Sequence, residues 1–141
     1  MAQPVSRSER RVGVILNYVA LALTLAVVYW GEATEWNTAM TIILVLAVAV
    51  LALTLFRYHL ATGLWKMAHT KIDNLDERQV QVTHDALRHS YAVFTILALI
   101  ALLWKALLPG EDPNLIMVFA VLLYVAHTLP SSMIAWSELE V

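Results

Sequence analysis

A chain of 141 residues that is 60% hydrophobic and 14% charged lies on the membrane side of soluble composition, which is about half apolar and about a quarter charged. Its formal net charge of -2 and the lack of a long basic tract argue against nucleic acid as a partner. It has no cysteine, which excludes disulfides, thiolate metal sites, CxxC redox chemistry and a cysteine nucleophile.

The N-terminal MAQPVSRSERR has the character of the basic region of a signal peptide. The apolar run behind it, residues 12–30, exceeds a signal core of about 7–15 residues and is long enough to cross a bilayer. No A-x-A-like cleavage site follows, so a retained first transmembrane helix is expected. Three further runs qualify: residues 38–56, residues 91–108 with Lys105 near the end, and residues 114–136, interrupted by HTLPSS. A hydrocarbon core of about 30 Å takes about 20 apolar residues in a helix. A closed β-barrel is the other way to span lipid, but it needs alternating segments, and these runs do not alternate. The expected fold is all-α, one domain over residues 1–141, with four transmembrane helices in two hairpins of matching plan.

The connectors predict the orientation. GEATEWN (residues 31–37) and PGEDP (residues 109–113) are short, acidic and free of Lys and Arg. Arg7, Arg10, Arg11, Arg57, Lys66, Lys71, Arg78 and Arg88 all fall on the other side. Lys105 alone lies near the acidic loops, where it can snorkel toward Glu111 or Asp112. The positive-inside rule then places both termini and the 57–90 connector in the cytoplasm. Trp30, Trp36 and Trp104 at the outer boundary, with Trp65 and Trp136 at the inner one, form the matching aromatic belts.

The connector itself reads as helix. Residues 57–70, RYHLATGLWKMAHT, contain no Pro, and Gly63 alone costs a helix about 1 kcal/mol, so the second helix is expected to continue through them. A break is expected at KIDNLD. Asn74 with Glu77 three residues on has capping-box spacing, and Asp76 is a second N-cap candidate. No breaker follows until Pro109, so the third helix is expected to extend over about 33 residues, or about 50 Å. With the extended second helix it would form a cytoplasmic helical hairpin. Leu75, Val82, Ala86, Ser90 and Val93 mark its apolar face. Glu77, Arg78, Gln81, His84, Asp85 and Arg88 mark its wet face, and Asp85 has helical spacing to Arg88 and His89.

The triplet Asp76-Glu77-Arg78 opening a helix, followed by Ala86 and by Tyr91 near membrane entry, resembles a pattern in small prokaryotic membrane proteins of uncharacterised families. The resemblance covers this stretch only and implies a prokaryotic inner-membrane protein, with no activity to carry over.

Chemistry is sparse. His127 is an ionisable group within a span, beside Thr128, Ser131 and Ser132, at a helix that Pro130 is expected to kink. It can be a neutral residue bonded to a neighbouring helix, a proton relay, or a haem or chlorin ligand. His59 and His89 are the partners that a bis-imidazole haem would recruit. Asp85, His84 and His89 do not make three firm metal ligands, and no di-iron Glu-x-x-His pair, EF-hand spacing, phosphate loop or nucleophile elbow is present. No metal site and no resident cofactor are expected. A transporter needs polar groups at the midplane, for which the first two spans offer Asn17, Thr24 and Thr54, none of them acidic, and Asn17 is read as glue between helices.

The leading expectation is therefore a non-catalytic accessory subunit of a larger prokaryotic membrane complex, energy-transducing complexes (respiratory or photosynthetic) among them. It would contact the bilayer and other membrane subunits, with Asp76, Glu77, Arg78 and Arg88 as docking residues. The alternatives are a haem- or chlorin-binding protein using His127, and a small oligomeric channel or transporter.

Overall fold

The computed structural model describes residues 5–107 and 115–137. The expected PGEDP loop and the reach of Lys105 toward it lie outside the described residues and side chains. Every described element is helical, and four helices are long and apolar enough to cross a membrane: Arg7–Ala33, Thr38–Leu60, Glu77–Trp104 and Leu115–Ser137. The chain divides into two compact units, the first built around residues 1–64 and the second formed by Trp65–Ser137.

In the first unit α1 (Arg7–Ala33) packs with α2 (Thr38–Thr54). Helix α1 begins well before residue 12. Ser6 accepts from the Glu9 N–H (3.3 Å), while Glu9 accepts from the Ser6 N–H (2.9 Å), a reciprocal capping box. The cap draws SRSERR into the helix. Helix α1 buries Arg10, Gly13, Val14, Asn17, Ala20, Leu21 and Thr24, a three-four spacing that lies along one face. Gly13 makes the approach possible: a Cβ there would overlap the ring of Tyr58. Helix α1 runs on to Ala33, so part of the expected loop is helical. Gly31 lies against Trp36, whose indole N–H donates to Thr41 (2.8 Å). Asn37 then caps α2 by accepting from the Met40 N–H (3.0 Å).

Helix α2 is apolar on all sides. Of its residues only Ala47 and Thr54 are buried, and a helix apolar all round belongs in lipid or in a large core. Its last turns widen into a π-helix, Leu55–Leu60, in which the Ala61 N–H reaches the Phe56 carbonyl (2.8 Å). The expected continuation to Thr70 does not form. Gly63 adopts φ +77°, a left-handed conformation open to glycine and strained for L residues. This glycine ends the helix.

After this break a short helix, α3 (Leu64–His69), and a single 3-10 turn (Ile72–Asn74) lead to α4 (Glu77–Leu107). The long third helix is present, at 31 residues, but the second arm of the expected hairpin is broken at Gly63. The cap of α4 is Asp76, not Asn74, which the 3-10 turn takes up. Asp76 accepts from the Gln79 N–H (2.7 Å), and the Asp76 N–H donates to the Gln79 side chain (3.2 Å). Gln79, not Glu77, thus stands at the third position of the box.

In the second unit α4 packs with α5 (Leu115–Ser137). The buried stripe of α4 runs through Thr83, Ala86 and Ser90, whereas Val93 is 37% exposed. Of the expected face Leu75, Val82, Ala86, Ser90 and Val93, the stripe keeps Ala86 and Ser90, and Thr83 is buried where Val82 is half-buried. Small side chains let helix backbones come close where lipid offers no hydrophobic drive.

The caps give the first test. Asp76→Ala should weaken the start of α4 by about 1 kcal/mol and raise protease sensitivity around Lys71, while Asn74→Ala should leave both unchanged. Limited proteolysis of the two variants in detergent distinguishes this capping from the Asn74–Glu77 alternative.

Candidate functional site

Polar groups gather in two places, one in each unit. In the first unit Asn17 is fully buried. Its side-chain amide donates to the Thr54 hydroxyl (2.9 Å) and to the Leu51 carbonyl (3.3 Å). The Thr54 hydroxyl lies 2.8 Å from the Val50 carbonyl and 3.0 Å from the Leu51 carbonyl, so it is free to accept from Asn17 while donating within its own helix. This joins α1 to α2, as the sequence predicts for Asn17. One turn and a half beyond Thr54, the π-helical segment carries the fully buried His59. Single π turns inside helices are common at functional positions. The segment is fixed here by the close fit of Tyr58 on Gly13.

In the second unit the ionisable group expected within a span is His127, on α5. His127 is exposed, and its Nδ1 bonds the Leu123 carbonyl of its own helix (2.9 Å), not a neighbouring helix. The ring it meets is His69, with centroids 6.3 Å apart and planes within 9° of parallel. His69 in turn stacks on Trp65, with centroids 4.2 Å apart. Trp65 and His69 are one helical turn apart on α3, and the break at Gly63 is what creates α3 as a separate helix. Of the other two histidines expected as haem partners, His59 belongs to the first unit, and His89 on α4 bonds the Asp85 carbonyl (2.7 Å).

The other polar residues of α5 turn inward and are held by their own helix. Thr128, Ser131 and Ser132 are buried. The Thr128 hydroxyl donates to the Tyr124 carbonyl (3.0 Å), and those of Ser131 and Ser132 donate to the Thr128 carbonyl (2.9 and 2.8 Å). Helix α5 continues through Pro130, and these short bonds brace the backbone around a residue that has no N–H of its own.

The docking candidates separate into two roles. Asp76 is engaged as the α4 cap. Glu77, Arg78 and Arg88 are exposed. Among the described residues no group of three or more His, Cys, Asp or Glu side chains could hold a metal ion. Sequence reading passed over His69, because its partner is remote along the chain. The Trp-x-x-x-His spacing of Trp65 and His69 was the available signal.

The chain matches no protein-family model, no curated protein and no solved structure.

The Asn17 contact is testable. Asn17→Leu removes a donor that bridges two helices and should destabilise the α1–α2 pair by about 1 kcal/mol, the scale of interhelical hydrogen bonds in bilayers. Thermal unfolding in detergent should show the loss, and adding Thr54→Val to Asn17→Leu should cost little more.

Proposed function

We propose that this chain is a non-catalytic subunit of a larger complex in a prokaryotic inner membrane, with both termini and the 57–90 segment in the cytoplasm. The single observation that carries the reading is the length and surface of α4. Its 31 residues extend about 46 Å, against a hydrocarbon core of about 30 Å. The surplus is its polar N-terminal part. There Glu77, Arg78 and Arg88 are exposed, and so is Leu87 (45%), with Tyr91 (74%) exposed at the membrane entry that follows. Charge interleaved with Tyr and Leu on a rigid, capped helix suits contact with another protein better than contact with lipid. The charge asymmetry of the connectors supports the orientation.

Purification from the native membrane in mild detergent, with mass spectrometry and an absorbance spectrum on the same fraction, tests this. A stoichiometric larger complex is expected, and reversing the charges of Glu77, Arg78 and Arg88 together should release the chain from it. A homo-oligomer with a Soret or chlorin band would replace the reading with a pigment-binding one. A homo-oligomer without a band would point to a channel or transporter.

A further inference from the structure

The cationic end of the first unit has no part in the docking reading, which concerns α4. Arg7, Arg10 and Arg11 lie in the first turns of α1, and Arg57 lies in the π-helical end of α2. Packing brings the two groups to one level. The Tyr58 ring sits against Gly13 of α1, and the Arg57 guanidinium lies over that ring, 5.8 Å from its centroid. Arg57 is also near enough to Glu9 for their charges to interact. Glu9 is the acid at this end, and its carboxylate is engaged by Ser6 in the capping box. The other acids among the described residues of this unit are Glu32 and Glu35, the nearer about 33 Å from Arg10 along α1. Arg57 is exposed, Arg7 and Arg11 are half-buried, and Arg10 is buried. A guanidinium keeps its charge in all of these settings.

Next to these charges the surface turns apolar on both elements. On α1 the exposed residues Val12, Ile15, Leu16 and Val19 follow the i, i+3, i+4, i+7 spacing of one helix face, and Arg11 stands one turn before Ile15. On α2 Leu53 is exposed one turn before Arg57, with Phe56 beside it. On each element a basic head thus borders an apolar stripe that leads into the span. A phospholipid has the same order, phosphate first and acyl chains after it. Four arginines against one acid favour a lipid of net negative charge over a zwitterionic one. We infer that Arg7, Arg11 and Arg57 bind the phosphate of an anionic phospholipid whose acyl chains lie along α1 and α2, with Arg10 adding its charge from the packed face. The planar fork of guanidinium N–H donors matches phosphate oxygens, and basic groups where helices enter the bilayer attract anionic headgroups. Such a site needs the spans, but neither their sidedness nor partner subunits.

The test is native mass spectrometry of the full chain in detergent, titrated with phosphatidylglycerol or with phosphatidylcholine of the same acyl chains. The first phosphatidylglycerol should bind at least about fivefold more tightly than the first phosphatidylcholine, the scale of a single arginine at an anionic headgroup. Arg57→Gln should weaken that preference, and Arg7→Gln, Arg11→Gln and Arg57→Gln together should erase it. Lys71→Gln, which removes one charge from the second unit, should leave it unchanged. Glycerophosphoglycerol, the same headgroup without chains, should not compete. Equal affinity of the wild-type chain for the two lipids would overturn the assignment, a reading that does not depend on whether the variants fold. So would a preference that survives the triple substitution or falls equally with Lys71→Gln, and competition by the chain-free headgroup would replace the lipid with a soluble anion.

Discussion

Inside hydrocarbon a polar atom has no water to turn to, and each must find its partner in its own helix or in the next one. Several of the described polar side chains take the first course. The hydroxyls of Thr24, Thr95 and Thr128 donate to the carbonyl four residues back. His127 makes the equivalent bond through Nδ1. This return to the parent helix lets a span carry polar residues without needing a neighbour to satisfy them. Asn17 takes the second course. Its amide cannot be satisfied by its own turn alone, and by reaching Thr54 and Leu51 it ties α1 to α2.

Where side chains satisfy themselves, close packing does the remaining work. Gly13 admits the Tyr58 ring in the first unit. Thr83, Ala86 and Ser90 give α4 a narrow buried stripe in the second. The large apolar residues mostly point outward, among them Leu53 (69%) and Leu102 (66%). For a soluble protein that distribution would be inverted. For a chain in lipid it is the expected one, because the tails outside are as apolar as the leucines. The same outward surface is open to lipid or to neighbouring subunits, and the polar start of α4 adds a part that lipid alone does not account for.

The four spans were legible because about 20 apolar residues in a row leave few alternatives. Their ends were less so, since an end depends on a local contest. SRSERR looked like the basic lead of a signal, yet its Ser6 and Glu9 spell a capping box, and the box prevails. Gly63 looked tolerable within a helix, but composition does not reveal the sign of φ, and the left-handed conformation ends α2. Asn74 and Asp76 were both sound caps, and the choice fell to the residue with Gln79 in reach. Asn17 was read correctly from its chemistry alone. The His69–His127 pairing was not, because it rests on α3, which exists only once the break at Gly63 is known.

The account depends on four crossings, with the 57–90 segment on the same face as the N-terminus and the 31–37 connector opposite. The absence of native cysteine makes that directly measurable. Single cysteines at Ser8, Thr34 and Asp73 can be probed in sealed, inside-out and right-side-out membrane vesicles with an impermeant maleimide. The account predicts that Ser8→Cys and Asp73→Cys label from the cytoplasmic face and Thr34→Cys only from the opposite one. Labelling of Thr34→Cys and Asp73→Cys from the same face would contradict it.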